Sequence, residues 1–481
     1  MRLAIVHYHL RRGGVTRVIA TALEALGTSI EKAVILSSTD SAEALPWPVA
    51  VIPELAYTEE ASPQLALRIR KAMEQAAREH LGGIPDLWHV HNHCLGKNAA
   101  FPEALRQLIN DGTPLLLQIH DFAEDGRPGN YRRQRRPYEA GTFANPETAL
   151  YPVAPQIGYA VLNGRDLEVL RAAGIPSTNL FWLPNALTPP PLEAGPSSPR
   201  TGKRPLVLYP TRGIRRKNIG ELLLRAMASP EQRFATTLVP ENPQWKAVHN
   251  QWVELASDLD LSVRLGLAEA RGFHFEDLVR EADSMITTSV AEGFGLAFLE
   301  PWLFGKPVTG RDLPEITGDF KENGIAFPGL YTEWPVDLAL IDLPGLRDRF
   351  KAAARGLYSA YERPLPESDL TGAWERMTAN GTIDFARLDE PAQMECLKAL
   401  HHSRKIALPE TSSEEKCQPH KQVESNARRI REIYGLSPYR GKLLSIYKTL
   451  KEAPAKEPRG APPEKVLGSF LDLDRFRLLL T

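Results

Sequence analysis

The first half of the chain alternates short apolar runs with longer amphipathic stretches. Residues 3–8, 32–36, 87–90, 115–119 and 158–162 are brief and almost wholly apolar, which predicts buried strands. Between them, residues 15–26, 62–80 and 102–110 place apolar positions three to four apart, the spacing of a helix with one buried face. Strands alternating with helices imply a parallel sheet with crossover helices.

Periodicity lapses across residues 184–205, where Pro189-Pro190-Pro191, Gly195-Pro196 and Ser197-Ser198-Pro199 crowd together. Such a segment is stiff and solvated and builds no core, so a boundary is expected near Ser198. The alternation then restarts, with strands expected at 206–209, 235–239, 262–267, 284–288 and 307–308 and a helix at 219–228. The expected fold is α/β, with two doubly wound Rossmann-like domains, 1–197 and 198–364, facing a cleft where ligands sit at strand C-termini. Residues 365–420 are polar and weakly periodic and read as an insertion. Residues 421–481 regain a helical pattern over 423–450, then a loop-like stretch and an apolar tail, and are expected to form a C-terminal helical extension of crossover helices and a tail packing back on the N-terminal domain.

Composition narrows the classes. Of 481 residues, 43% are hydrophobic and 24% charged, values of an ordinary globular chain. Lys+Arg number 58 against 59 Asp+Glu, so no global field draws nucleic acid or anionic membrane. Cys94, Cys396 and Cys417 are far apart and form no C-x-x-C pair, which supports neither a zinc site nor a disulfide framework. A reducing, cytoplasmic compartment is expected. No stretch approaches the roughly 20 apolar residues of a membrane span, and the N-terminal apolar run is too short for a signal peptide.

The most informative chemistry lies in residues 288–300, where Glu292 and Glu300 flank a glycine-bearing turn. A strand over 284–288 and a helix over 298–304 would place the N–H groups of Gly293, Phe294, Gly295 and Leu296 at a helix N-terminus, a seat for phosphate. Glu300, in the first turns, would reach a hydroxyl-bearing ligand held there. Arg212 and Lys217 follow the strand at 206–209, where cations would neutralise a diphosphate; a solvated basic loop is the plainer reading. Gly13-Gly14 follows the first strand and opens the first helix, which suits either close approach to a diphosphate or a simple turn. His120-Asp121, after the strand at 115–119, suits hydrogen bonding to a sugar or proton shuttling. His91-Asn92-His93 lacks further ligands at metal spacing, so no metal is expected. The run Tyr131-Arg132-Arg133-Gln134-Arg135-Arg136 falls in a Gly/Pro-rich segment and reads first as an exposed loop. Its functional reading is an anion or RNA contact by Arg132 and Arg133.

Together, Gly13-Gly14-Val15-Thr16-Arg17, His120-Asp121, Arg212 with Lys217-Asn218, and Glu292-Gly293-Phe294-Gly295-Leu296 with Glu300 resemble, in order, the blocks of the family-four glycosyltransferases. The resemblance spans about residues 1–360 plus the helices near 423–450. It implies a GT-B fold and retaining transfer of a hexose from a UDP- or GDP-sugar to a small acceptor, without a metal or other cofactor. It implies that Arg212 and Lys217 neutralise the diphosphate and that the Gly14 backbone lines it. Glu300 would bind the ribose, and Glu292 with Phe294, Gly295 and Leu296 the donor sugar and β-phosphate. His120 would contact the transferred sugar. Pro301-Trp302 after Glu300 departs from the family's usual small residues. The basic run favours an anionic acceptor. The alternatives are an RNA or lipid-linked acceptor, or a catalytically silent GT-B interaction protein.

Overall fold

The computed structural model describes every residue except 42–44, 189–203, 269–274, 403–405 and 412–418. The chain divides into two compact units. The first comprises Met1–Thr188, Ala360–Glu362 and Ile433–Asp472, and the second Pro189–Ser359, Arg363–Glu432 and Leu473–Thr481. The boundary expected near Ser198, like Cys417, lies outside the described residues.

The first unit is built on β1 (Arg2–Val6), β2 (Lys32–Ser37), β3 (Val49–Val51), β4 (Leu87–His91), β5 (Leu115–Ile119), β7 (Ile157–Val161) and β8 (Leu180–Trp182). These form a parallel sheet in the order β3-β2-β1-β4-β5-β7-β8. Strand alternation divides β1 between two cores: Ala4 and Val6 face one, Leu3 and Ile5 the other. The first is covered by the helices Pro63–Leu81 and Phe101–Asn110. The second is covered by the helix Gly14–Leu26 and, from far along the chain, by Tyr439, Leu443, Tyr447 and Leu450 of the helix Leu436–Glu452. Ser62 caps Pro63–Leu81 by accepting from the Leu65 N–H at 3.1 Å, and left-handed Gly82 ends it.

The second unit holds β9 (Leu206–Arg212), β10 (Arg233–Leu238), β11 (Val263–Arg264), β12 (Ser284–Thr287), β13 (Val308–Arg311) and β14 (Leu330–Tyr331) in the parallel order β11-β10-β9-β12-β13-β14. Two small antiparallel pairs join β15 (Pro335–Asp337) to β16 (Thr382–Asp384), and β17 (Arg459–Gly460) to β6 (Pro152–Val153) in the first unit.

Three expectations are corrected. The basic run lies in a helix, Pro128–Glu139, not a loop. Pro128 sits in the first turn, where a missing N–H costs little, and Tyr131, Gln134 and Pro137 are buried at three-residue spacing. Residues 365–420 do not stand apart as an insertion. Leu370 and Trp374 of the helix Glu367–Met377, with Phe385 and Leu397, belong to the second unit's largest core. Finally, the crossover helices are Pro419–Tyr434 and Leu436–Glu452, but residues 421–481 do not all pack on the first domain: Ile433–Asp472 belongs to the first unit, whereas 421–432 and Leu473–Thr481 belong to the second.

Candidate functional site

In the second unit, β12 runs into a turn and then into the helix Leu296–Leu303. Gly295 caps that helix at φ 92°, and a Cβ there would lie 2.6 Å from Ile316 Cγ2. Only glycine satisfies both constraints. The turn is fastened to the loop after β9. Thr288 Oγ1 donates to the carbonyls of Lys217 (2.9 Å) and Asn218 (3.0 Å), and the Val290 N–H donates to the Arg216 carbonyl at 2.9 Å. These contacts bring Lys217 and Glu292 together: the ammonium donates to the carboxylate, and Arg216 Nη1 lies 3.7 Å from it. Burial lowers the Lys217 pKa, and the Glu292 charge opposes that shift. Glu300 is part-buried, and Pro301 occupies the next position inside the helix. Gly293 and Leu296 are exposed, whereas Phe294 is buried. Arg212 stands half-exposed and pairs with Glu241 at 2.9 Å.

Several supports carry almost no local sequence signal. Arg215 forks onto Glu390, with one contact at 2.8 Å, and donates to the Leu478 carbonyl at 3.0 Å. Leu479 packs with Val290, two residues before Glu292. Gln393 Nε2 donates to Asn218 Oδ1 at 2.8 Å, and Asn218 donates to Glu221 at 2.8 Å. Glu221 is fully buried and forms a triad with Arg311 and Asp384, at 2.7 and 2.8 Å from the Arg311 guanidinium. The helix Ile219–Ala228, which begins two residues after Lys217, is anchored by that triad. A lone Glu in an apolar helix and a lone Arg at a strand end were the available signals.

In the first unit, imidazoles gather at the C-terminal ends of β1, β4 and β5. His89 and His91 stack at 4.4 Å, His91 and His120 at 5.2 Å, and His91 Nδ1 lies 2.9 Å from His120 Nε2. Burial holds His7 and His89 at a pKa of about 4 and His120 at about 3, and His91 well below the usual imidazole value. The cluster is therefore neutral near pH 7. His89 Nε2 donates to Gln118 Oε1 at 2.9 Å, leaving Nδ1 to accept from the Tyr447 hydroxyl at 2.8 Å. His93 donates to the Leu150 carbonyl at 2.8 Å. Asn92, left-handed at φ 54°, accepts from the N–H groups of His120 (2.7 Å) and Asp121 (3.2 Å) and so sets the His120 turn. No local sequence pattern signals this role. Gly13 precedes the helix Gly14–Leu26, and a Cβ on Gly14 would meet no atom within 4 Å. Among the described residues no group of three or more His, Cys, Asp or Glu is disposed to hold a metal ion.

The two arginines singled out in the basic run differ. Arg133 is engaged, donating to the Gly96 carbonyl at 3.1 Å and facing Glu59 at 3.3 Å. Arg132 is exposed.

No model of a known protein family matches the chain. It is 25% identical to mannosylglucosyl-3-phosphoglycerate synthase of Petrotoga mobilis over 535 aligned residues, covering 100% of this chain and 99% of that protein. Its structure is similar to sucrose-phosphate synthase from Thermosynechococcus elongatus, with a TM-score of 0.53 and 14% identity over 93% of this chain and 98% of that one. It is also similar to the catalytic domain of starch synthase IV from Arabidopsis thaliana bound to ADP and acarbose, with a TM-score of 0.50 and 13% identity over 94% and 99%. Two parallel-sheet α/β units with a helical C-terminal part give the GT-B fold. The chain is an enzyme of the glycosyltransferase class. No described helix is long and apolar enough to cross a membrane.

Proposed function

We propose that this enzyme transfers a hexose from a UDP- or GDP-linked sugar to a small anionic acceptor, with retention of anomeric configuration and without a metal, in the cytoplasm. The observation that carries the reading is the Lys217–Glu292 pair beside the Gly295 turn, fastened to the loop after β9. An ammonium and a helix N-terminus on one side of a strand mouth suit a diphosphate, whose leaving oxygen gathers negative charge as the glycosidic bond breaks. Lys217 and Arg212 would neutralise that charge. The N–H groups of the 293–296 turn would hold the β-phosphate, Glu292 would orient the sugar hydroxyls, and Glu300 would bind the ribose.

In the first unit, neutral His120 suits hydrogen bonding to an uncharged sugar hydroxyl. The anomeric carbon–oxygen bond to the diphosphate breaks, and the acceptor hydroxyl attacks from the same face. Its proton passes to the departing phosphate oxygen. No protein nucleophile is required.

The anionic acceptor is supported by the relative's name, which describes a synthase of a glycoside bearing 3-phosphoglycerate. The test is to incubate the protein with UDP- and GDP-hexoses and phosphorylated or carboxylated acceptors, then read the product's anomeric coupling by NMR. A product with the donor's configuration is expected. An inverted product, or transfer only to RNA or lipid, would refute the proposal.

A further inference from the structure

The helix Pro128–Glu139 borders a pocket of ≈ 610 Å³ that lies wholly within the first unit. Its four arginines divide into two kinds. Arg133 is bound to the Gly96 carbonyl and Glu59, and Arg135 to Glu139 (2.9 Å) and Glu464 (3.4 Å), with its guanidinium over the Tyr131 ring. Arg132 and Arg136 line the same pocket and are exposed, and their guanidiniums make no hydrogen bond or ion pair among the described residues. Four residues apart, they share one helix face, where like charges repel and weaken the helix slightly. An anion between them removes that repulsion.

The helix is anchored from beneath. Tyr131 packs edge-on against Tyr361 at 5.2 Å, the Arg127 N–H donates to the Tyr361 hydroxyl at 2.6 Å, and a Cβ on Gly96 would lie 2.1 Å from the Asn130 carbonyl oxygen. Because the helix is already ordered, a ligand has to fix only the two arginine side chains and no backbone.

We infer that Arg132 and Arg136 form the clamp of an anion site in this pocket, and that its ligand is a phosphate monoester on a small hydroxylated molecule. Of the pocket's three carboxylates, Glu59 and Glu139 face Arg133 and Arg135, which leaves Glu362. Two guanidiniums suit a phosphate dianion, and one carboxylate accepts hydrogen bonds from neighbouring hydroxyls. The inference rests on the reading of the chain as a transferase with an anionic acceptor, and replaces Arg133 with Arg136 as the partner of Arg132.

The experiment is calorimetric titration of the full chain with 3-phosphoglycerate and with inorganic phosphate. Losing each guanidinium should weaken binding about 10- to 100-fold. R132A/R136A should therefore abolish measurable binding of 3-phosphoglycerate, whereas R133A changes it less than about threefold and R132K/R136K restores part of it. Removing the like-charge pair does not threaten the helix. Unchanged affinity in R132A/R136A, or an equal loss in R133A, would overturn the inference. So would salt-sensitive retention of an RNA oligonucleotide by these arginines with no response to 3-phosphoglycerate. UDP and GDP titrated in parallel keep the two questions apart. A chain that binds the phosphate ester through the clamp but no nucleotide contradicts the proposed donor, not the clamp.

Discussion

The two units share a doubly wound frame but arrange their strand ends by opposite electrostatics. In the first, charge is removed: His7, His89, His91 and His120 crowd together and are held neutral by burial. In the second, charge is kept and paired: Lys217 meets Glu292, Arg215 meets Glu390, and Arg311 meets Glu221 and Asp384. Burial alone neutralises an imidazole at modest cost, whereas an ammonium or guanidinium retains its charge and must find a partner. Neutral ring nitrogens suit sugar hydroxyls, and a paired ammonium beside a helix N-terminus suits phosphate. One framework thus supplies two kinds of surface.

Breaking the paired side should have the largest effect. Replacing Arg311 with Met leaves Glu221 and Asp384 buried without their cation, and should cost about 3–5 kcal/mol in urea unfolding. A loss below about 1 kcal/mol would show that the triad is not structural. Lys217→Ala removes a charge proposed to face the leaving diphosphate and should lower kcat by about 10²–10³, equivalent to ~2.7–4 kcal/mol, with the fold intact. Retention of near-normal kcat would place the cation elsewhere.

The neutral side is tested by pH. Burial holds the folded pKa of His89 at about 4, below the ordinary imidazole value of 6.5, so the unfolded chain binds more protons between these limits. Its contribution is present above about pH 6.5 and is lost as pH falls towards 4, at about 1.4 kcal/mol per pH unit. The urea midpoint should fall across that window, and His89→Gln should make the fall shallower. An identical slope in the variant would show that His89 is not among the groups responsible.

Much of this was legible because period and punctuation coincide with burial. Strands such as β4 and β5 are buried on both faces and read as continuous apolar runs, and Ser62 and Gly82 mark the ends of Pro63–Leu81. The Gly295 turn could be read from the glycine spacing because its backbone accepts little else. What escaped was tertiary. The basic run reads as a loop because Pro128 and Pro137 mask its three-residue burial spacing. The 365–420 segment reads as an insertion because its core residues, Leu370, Trp374, Phe385 and Leu397, are spread over separate helical segments with no shared period. Asn92, Glu390 and Gln393 act through partners distant in sequence, which no local pattern reports.

In the proposed function, the second unit grips a nucleoside diphosphate through Lys217 and the Gly295 turn. Calorimetric titration of the purified full chain with UDP and with GDP, wild type beside Lys217→Ala, tests it most directly. Saturable binding of one nucleotide, weakened at least tenfold by the substitution, is the predicted result. No binding of either nucleotide by the folded wild type, or equal affinity in the variant, would contradict the account.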